Sequence, residues 1–186
     1  MTNIGLNDFQ RRGSTIILST LLADIYVLAM KARKYHWNVV GPQFKALHDF
    51  FETHYSLLDK MVDQVAKRVR TLDNSVPGTM TEFLKSTELS EQPGIHPNAE
   101  SMIADLLTDH ETVIRRLRDD AKRCTDFDDQ GTCDFLTGML RQHEHVAWML
   151  RAQLQQDRMA TQSAVLSQRD VEERRLPTRV AYSRAA

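Results

Sequence analysis

The chain has 186 residues, 24 of them basic and 25 acidic, with a formal net charge of −1. This length is enough for one domain with a substantial core. Because the two signs nearly cancel, bulk charge predicts neither nucleic acid nor a membrane surface as the partner.

The cysteines and the N-terminal residues indicate a compartment. Cys124 and Cys133 form no disulfide framework and match no metal-ligand spacing, and two free thiols suit a reducing cytosol better than a structural disulfide. The start of the chain has neither the basic residues nor the apolar run of a signal peptide. No stretch approaches the ~20 apolar residues that cross a bilayer. We therefore expect a soluble cytoplasmic protein.

The first half of the chain predicts two long helices. From Ser14, a candidate N-cap, apolar residues recur at three- and four-residue intervals, which predicts a helix to about Val39. A Gly-Pro pair ends it. A second helix follows, with apolar residues at helical spacing from Phe44 to Leu72.

The second half predicts two more long helices after a connection that contains proline and glycine. The connection includes a candidate short helix over residues 81–85. The third long helix is predicted from about Asn98 to Cys124, and the fourth from Thr132 to about Asp157.

These elements predict the fold class and the domain organisation. Four long amphipathic helices without a strand signal indicate an all-α four-helix bundle, with a long crossing between the second and third helices. We assign residues 14–156 to the bundle and residues 1–13 to an N-terminal arm. Residues 157–186 lose apolar periodicity, which favours a flexible C-terminal tail that contains arginine.

The second helix carries a polar stripe beside its apolar face. Successive residues are ~100° apart around the helix axis. If the angle of His48 is set to zero, the apolar residues centre near ~280°. The stripe comprises Asp59 at ~20°, Glu52 at ~40°, Asp63 at ~60° and Lys67 at ~100°. A solvated acidic face is the common explanation of such a pattern, and a set of metal ligands is the functional alternative.

Distances along this helix restrict the metal hypothesis. His48 and Glu52 lie one turn apart and can hold one ion, but Asp63 lies a further ~16 Å along the helix. Two copies of the helix packed antiparallel about a two-fold axis would bring His48 and Glu52 of one copy to Asp63 of the other. His36, on the preceding helix, can approach His48 across the short turn. A mixed imidazole and carboxylate set suits Fe, Mn or Zn.

A di-iron site inside one bundle is the alternative for this architecture. Such sites use glutamates from two helices and Glu-x-x-His motifs from two others. The first helix contains no glutamate, and neither His143 nor His145 follows a glutamate by three residues. An internal di-iron site is therefore not expected.

Three segments of the chain resemble the Dps family, small ferritin-like proteins first described as DNA-binding proteins from starved cells. The resemblance covers about residues 14–156. It rests on HWNVVGPQF (36–44) with His48 twelve residues after His36, on GTMTEFL (78–84), and on HEHVAWMLRA (143–152). It also includes Glu52 and Asp63 at the family's next ligand positions.

The resemblance implies a ferritin-like dodecameric shell that stores ferric iron. It implies ferroxidase centres at two-fold interfaces, where Fe(II) is oxidised, preferentially by hydrogen peroxide. By the same resemblance His36, His48 and Glu52 come from one subunit and Asp63 comes from its partner, in agreement with the spacing argument. Iron is the implied metal, and zinc is an alternative occupant.

One position departs from the family pattern. The family has a glutamate four residues after Asp63, where this chain has Lys67. A protonated lysine has no lone pair, and its charge disfavours a nearby cation. We expect a functional first iron position and a second one that is weak, filled through water or supplied by another side chain. The nearest candidates are Asp59 and His54, although His54 at ~240° faces the apolar side, where a packed histidine is commoner.

Four further residues have weaker functional interpretations. Trp37 resembles the family's tryptophan near the centre, which can take up stray oxidising equivalents, but a packing role is equally consistent. His110, His143 and His145 lie outside the matched ligand set, so packing or surface roles are favoured over metal binding.

An acidic turn precedes the fourth helix. Asp126, Asp128, Asp129 and Asp134 can line a three-fold pore and draw Fe(II) inward by negative potential. The alternative is a solvated loop with acids at a helix N-terminus. Asp129 and Asp134 are the leading candidates for the pore.

The C-terminal tail offers a second kind of partner. Its arginines are Arg158, Arg169, Arg174, Arg175, Arg179 and Arg184. Many copies displayed on a shell can bind DNA through multivalency and counterion release. The arginines are dispersed and lysines are absent, so DNA binding is not favoured. The alternative function is a DNA-binding or metal-binding shell whose oxidation chemistry is weak or lost because of Lys67.

Overall fold

A computed structural model describes the backbone of residues 2–175 and the side chains of residues 2–155. Within residues 2–175 the elements are all helical: α1 (Asp8–Asn38), α2 (Phe44–Thr71), α3 (Met80–Ser86), α4 (Ala99–Asp126) and α5 (Gln130–Arg175). The predicted all-α four-helix bundle, with a short helix between the second and third long helices, is confirmed. α1 packs mainly on α2, α4 packs mainly on α5, and α3 covers part of α1.

The first helix begins earlier than predicted. The Asn7 side chain accepts a hydrogen bond from the backbone N–H of Gln10 at 3.0 Å, and the Gln10 side chain accepts one from the N–H of Asn7 at 2.9 Å. This reciprocal capping box satisfies two amides at the start of α1. The prediction of Ser14 as the N-cap is therefore wrong, because Ser14 is buried inside the helix.

The last helix continues beyond its predicted end. α5 runs to Arg175, whereas apolar periodicity predicted an end at about Asp157. The side chains of the tail arginines lie outside the described residues.

Burial explains the apolar character of α1. An 18-residue window of this helix has a mean hydropathy of 1.7, which is apolar and long enough to cross a membrane, contrary to the sequence expectation. However, 61% of that window is buried inside the bundle. The same helix buries two charged residues with partners from α4: Asp24 pairs with Arg116 at 2.5 Å, and Lys31 pairs with Asp105 at 2.7 Å. α1 is therefore the core helix of the bundle.

The turn between α1 and α2 positions the candidate site. Val39 leaves α1 in an extended conformation, and Gly41 adopts φ 115°, a conformation that side chains disfavour. The N–H of Phe44 then donates to the carbonyl of Gly41 at 3.0 Å. This tight reversal brings the last turn of α1 beside the first turn of α2.

Candidate metal centre

Two histidines hold each other across the α1–α2 turn. Nδ1 of His36 lies 2.9 Å from the carbonyl oxygen of His48, and Nδ1 of His48 lies 2.9 Å from the carbonyl oxygen of His36. Carbonyl oxygens only accept hydrogen bonds, so each Nδ1 carries the proton and donates it. The rings stack with centroids 3.8 Å apart and planes inclined by 25°.

This exchange of hydrogen bonds fixes the chemistry of both rings. With its proton on Nδ1, each neutral imidazole keeps an unshared electron pair on Nε2. Metal-ligating histidines commonly donate their other N–H to a carbonyl or carboxylate, which fixes the tautomer and the ring orientation. His36 and His48 thus have the tautomer that metal-ligating histidines commonly have, and both are only half-buried.

Exposed apolar side chains surround the histidine pair. Trp37, Val40 and Phe44 are 65%, 76% and 45% exposed. The Phe44 ring lies 5.1 Å from the ring of His48. Apolar side chains clustered on a surface commonly mark an interface, so this turn has the character of a surface that another protein covers.

The carboxylates of α2 differ in their availability. Glu52 follows His48 by one turn and is exposed, and no hydrogen bond or ion pair engages it among the residues whose side chains are described. Asp63 forms an ion pair with Lys67, in which Nζ lies 2.5 Å from Oδ2. Both partners are largely exposed, at 61% for Asp63 and 74% for Lys67.

The chain alone does not assemble a complete site. Within the described residues, no three side chains of His, Cys, Asp or Glu converge on one ion position. The structure brings His36 and His48 together, with Glu52 one turn away, and leaves Asp63 on a more distant part of the α2 stripe. The spacing argument anticipated this separation.

The two predicted substitute ligands are engaged elsewhere. Asp59 pairs with Arg33 at 2.6 Å, and that guanidinium lies 4.5 Å from the centre of the Tyr55 ring. His54 points into the bundle, where its Nε2 lies 2.7 Å from Nε2 of His110. The structure therefore gives His54 no place beside the histidine pair. Sequence reasoning missed Arg33, for which the available signal was its position about one turn before His36.

The two predicted pore residues have different environments. Asp129 is buried and accepts hydrogen bonds from the Thr132 N–H at 2.9 Å, the Thr132 hydroxyl at 2.5 Å and Arg68 at 2.8 Å. Burial alone would raise the pKa of Asp129, but these hydrogen bonds and the Arg68 charge outweigh it, so the pKa lies below its usual value. The Asp129 carboxylate is therefore engaged at the start of α5, and its pore role stays a prediction. Asp134 is exposed, in a cleft that Lys67 and Arg68 also line.

Comparison with known sequences identifies related proteins. A family model described as "Ferritin-like domain" matches residues 17–160. An uncharacterized low temperature-induced protein of Nostoc sp. is 51% identical over 151 residues, which cover 81% of this chain and 84% of the relative. DNA protection during starvation protein 2 of Bacillus anthracis is 34% identical over 140 residues, covering 75% of this chain and 95% of the relative.

Solved structures share the fold. DpsC from Streptomyces coelicolor superposes with a TM-score of 0.80 at 30% identity, covering 83% of this chain and 90% of that one. The Dps protein of Vibrio cholerae superposes with a TM-score of 0.77 at 30% identity, covering 82% and 96%. The latter is described as a member of a broad superfamily of ferritin-like diiron-carboxylate proteins.

Proposed function

Since the chain belongs to the Dps family of ferritin-like proteins, we propose that it oxidises Fe(II) with hydrogen peroxide at sites shared between two subunits. Membership supports a role in iron storage and DNA protection. The oxidant, the dodecameric shell that would hold the ferric product and a cytoplasmic location are parts of the proposal.

The reciprocal hydrogen bonds between His36 and His48 carry the proposal. Each Nδ1 atom donates to a carbonyl oxygen at 2.9 Å. Each Nε2 atom is therefore left with a lone pair. A packing role for two half-buried histidines does not require this tautomer in both rings. Imidazole nitrogens with a nearby free carboxylate, here Glu52, form a ligand set that Fe(II) accepts and that zinc can also occupy.

A second subunit completes the site in this proposal. Asp63 lies ~16 Å along α2 from Glu52, too far to share an ion with it. An antiparallel two-fold packing would bring Asp63 of the partner to His36, His48 and Glu52 and would create two equivalent sites. The same packing would cover the exposed apolar side chains of the α1–α2 turn, including Trp37.

Pairing of irons determines the product of the reaction. Two Fe(II) ions supply one electron each, and hydrogen peroxide takes both electrons and two protons to give two water molecules and two Fe(III). A single Fe(II) supplies only one electron, which leaves a hydroxyl radical and a hydroxide ion. A site that binds two irons close together therefore protects the cell from the radical while it oxidises iron.

Lys67 makes the two iron positions unequal. The first position would use His36, His48 and Glu52, with Asp63 of the partner subunit. The second would lie near the ammonium of Lys67, which repels a cation and occupies Asp63. We therefore propose one strong position and one weak position, with slower pairing of irons than a glutamate at residue 67 would allow.

The experiment is stopped-flow oxidation of Fe(II) by the assembled protein, with hydrogen peroxide and with oxygen in separate runs. Wild type should oxidise two Fe(II) per peroxide without detectable hydroxyl radical. We expect the wild type to show a fast phase of Fe(II) oxidation at the proposed site. The variant with both His36→Ala and His48→Ala should lack this phase and keep the same assembly size. Equal rates in the two proteins would contradict the proposed site.

The ion pair between Asp63 and Lys67 also favours the second candidate, a metal-binding or DNA-binding shell with little oxidation chemistry. In that case wild type would bind about one ion per site and oxidise Fe(II) no faster than the double variant. A mobility-shift assay at low and moderate salt, with and without residues 158–186, tests DNA binding by the tail.

A further inference from the structure

Three histidines form a buried chain of hydrogen bonds in the middle of the bundle. His54 of α2, His110 of α4 and His143 of α5 are 4%, 0% and 0% exposed. Nε2 of His54 lies 2.7 Å from Nε2 of His110, and Nδ1 of His110 lies 2.9 Å from Nδ1 of His143. This chain is separate from the His36 and His48 pair at the surface.

Counting donors and acceptors shows that the hydrogen bonding of the three histidines is incomplete. A neutral imidazole has one N–H and one lone pair, so the two contacts use two donors and two acceptors of the three rings. The atoms left over are Nδ1 of His54 and Nε2 of His143, both buried and without a hydrogen-bond partner among the described residues. Whichever direction the two hydrogen bonds take, one of these end atoms carries an unused N–H and the other has an unused lone pair.

Such a partly satisfied polar cluster costs stability in an apolar core. A buried polar atom without a partner costs about 1–3 kcal/mol, and a half-satisfied network is less stable than apolar packing of the same volume. Burial also lowers the pKa of His143 to about 4 and that of His110 well below 6.5, so these two rings are neutral at pH 7. Neutral imidazoles are metal ligands, and the cluster has an explanation if it binds an ion.

The geometry restricts the coordination number. The ring centroids of His54 and His110 are 4.9 Å apart, the facing nitrogens are 2.7 Å apart, and the planes are inclined by only 26°. The centroid separation exceeds the nitrogen separation by 2.2 Å, which is about the diameter of one imidazole ring, or one ring radius on each side. The two nitrogens therefore lie between the rings, close to the line that joins the ring centres, and face each other head-on. Two head-on nitrogens suit a two-coordinate ion, and within the described residues no third His, Cys, Asp or Glu converges there.

The surroundings restrict the charge of the ion. No carboxylate forms a hydrogen bond or an ion pair with the three rings in the part of the chain whose side chains are described. The cost of burying an ion rises with the square of its charge. A monovalent ion is therefore favoured over a divalent one. Among biological metals, the soft monovalent ion that binds imidazole is Cu⁺.

We propose that His54 and His110 bind one Cu⁺ between their Nε2 atoms. In the arrangement that this requires, His110 donates from Nδ1 to His143 and His54 carries its proton on Nε2. That proton moves to the unpartnered Nδ1 of His54, so no proton is released and no electron is transferred. His143 positions His110 by accepting a hydrogen bond from its Nδ1. Two bonds of about 2 Å in line place the nitrogens about 4 Å apart, so the rings must separate by about 1.3 Å from their present 2.7 Å. A cleft of about 310 Å³ beside His54, also lined by Phe50, gives that ring space to shift.

The test uses the full-length assembled protein with His36→Ala and His48→Ala, which removes the surface imidazole pair. Anaerobic titration of Cu⁺ against a chromophoric Cu⁺ chelator should find one tightly bound ion per chain. Adding His110→Leu should abolish this binding. Adding His145→Leu, a histidine of α5 that is exposed, should leave it unchanged.

Two further measurements keep the result interpretable if His110→Leu perturbs the fold. His143→Leu should weaken Cu⁺ binding by about 10–100-fold without removing the two ligands. X-ray absorption of the bound ion should show two nitrogen scatterers and no sulfur. The proposal is overturned if the double variant binds no Cu⁺, if His110→Leu leaves number and affinity unchanged, or if Zn²⁺ competes equally with Cu⁺. Because the surface pair is absent from all these proteins, none of these outcomes depends on the proposed oxidation site.

Discussion

The ammonium of Lys67 lies 2.5 Å from the carboxylate of Asp63, one turn earlier on α2. The carboxylate that the proposed site needs is therefore paired within its own chain. Both side chains are largely exposed, and exposed ion pairs contribute about 0–1 kcal/mol. In the proposed dimer, an iron ion held by the partner subunit would displace Lys67 from Asp63. The ammonium would still lie close to the proposed second iron position.

Replacing Lys67 with glutamate should strengthen the second iron position. The change removes one positive charge and adds one negative charge, each contributing about 1 kcal/mol near an exposed cation. Together they correspond to roughly 30-fold tighter binding of the second iron. We expect faster oxidation of Fe(II) by peroxide and a second bound ion in a titration. Lys67→Gln, which removes the charge without adding a ligand, should give a smaller increase in the oxidation rate. An unchanged rate in Lys67→Glu would contradict this explanation.

Single substitutions of the surface histidines should separate binding from stability. His36→Ala and His48→Ala each remove one nitrogen ligand and one hydrogen bond that contributes about 1 kcal/mol. We expect each variant to lose the fast oxidation phase while its unfolding free energy falls by about 1 kcal/mol in chemical denaturation. A variant that keeps the fast phase would show that its ring is not a ligand.

The buried histidines should make the protein sensitive to mild acid. Because the pKa of His143 is lowered to about 4 from 6.5, the unfolded chain binds a proton in this range that the folded chain does not. Stability is thus complete above pH 6.5 and falls as the pH drops towards 4, by about 3 kcal/mol for this group.

Chemical denaturation at pH 7 and pH 4.5 measures this loss. His143→Leu should lose about 2 kcal/mol less than wild type between these two values, since it has no proton to bind. His145→Leu should behave as wild type. Equal losses in wild type and His143→Leu would contradict the assigned pKa.

The two acidic residues near the α4–α5 turn should respond differently to substitution. Asp129→Ala removes a helix-end hydrogen bond and leaves the Arg68 guanidinium without its carboxylate partner, which should cost about 3 kcal/mol. Asp134→Ala should leave stability within about 0.5 kcal/mol of wild type. If Asp134 lines a pore, its variant should slow iron uptake without changing the oxidation rate of added Fe(II); an unchanged uptake would exclude that role.

The helices were predictable because the core obeys one spacing rule. Residues such as Leu47, Phe51 and Leu58 recur at three- and four-residue intervals on α2 and are fully buried in the structure. The start of α1 was not predictable from apolar spacing, because the Asn7 and Gln10 capping box lies in a polar segment.

The candidate site was only partly predictable from the sequence. His36 and His48 follow from motif and spacing, but their exchanged hydrogen bonds depend on the tight turn at Gly41. The buried histidine chain joins three helices, so no local pattern contains it. The one available signal was the position of His54 and His110 within the apolar spacing of their helices, where a polar residue needs a partner.

Mixing two inactive variants tests the shared site most directly. One variant carries His36→Ala with His48→Ala, and the other carries Asp63→Asn. If each site takes its histidines from one subunit and Asp63 from the partner, a mixed pair of subunits contains one intact site and one site with both defects. Random pairing in co-expressed protein should then restore about a quarter of the wild-type rate of Fe(II) oxidation by peroxide. A mixture as inactive as its two parents would contradict a site shared across the two-fold axis.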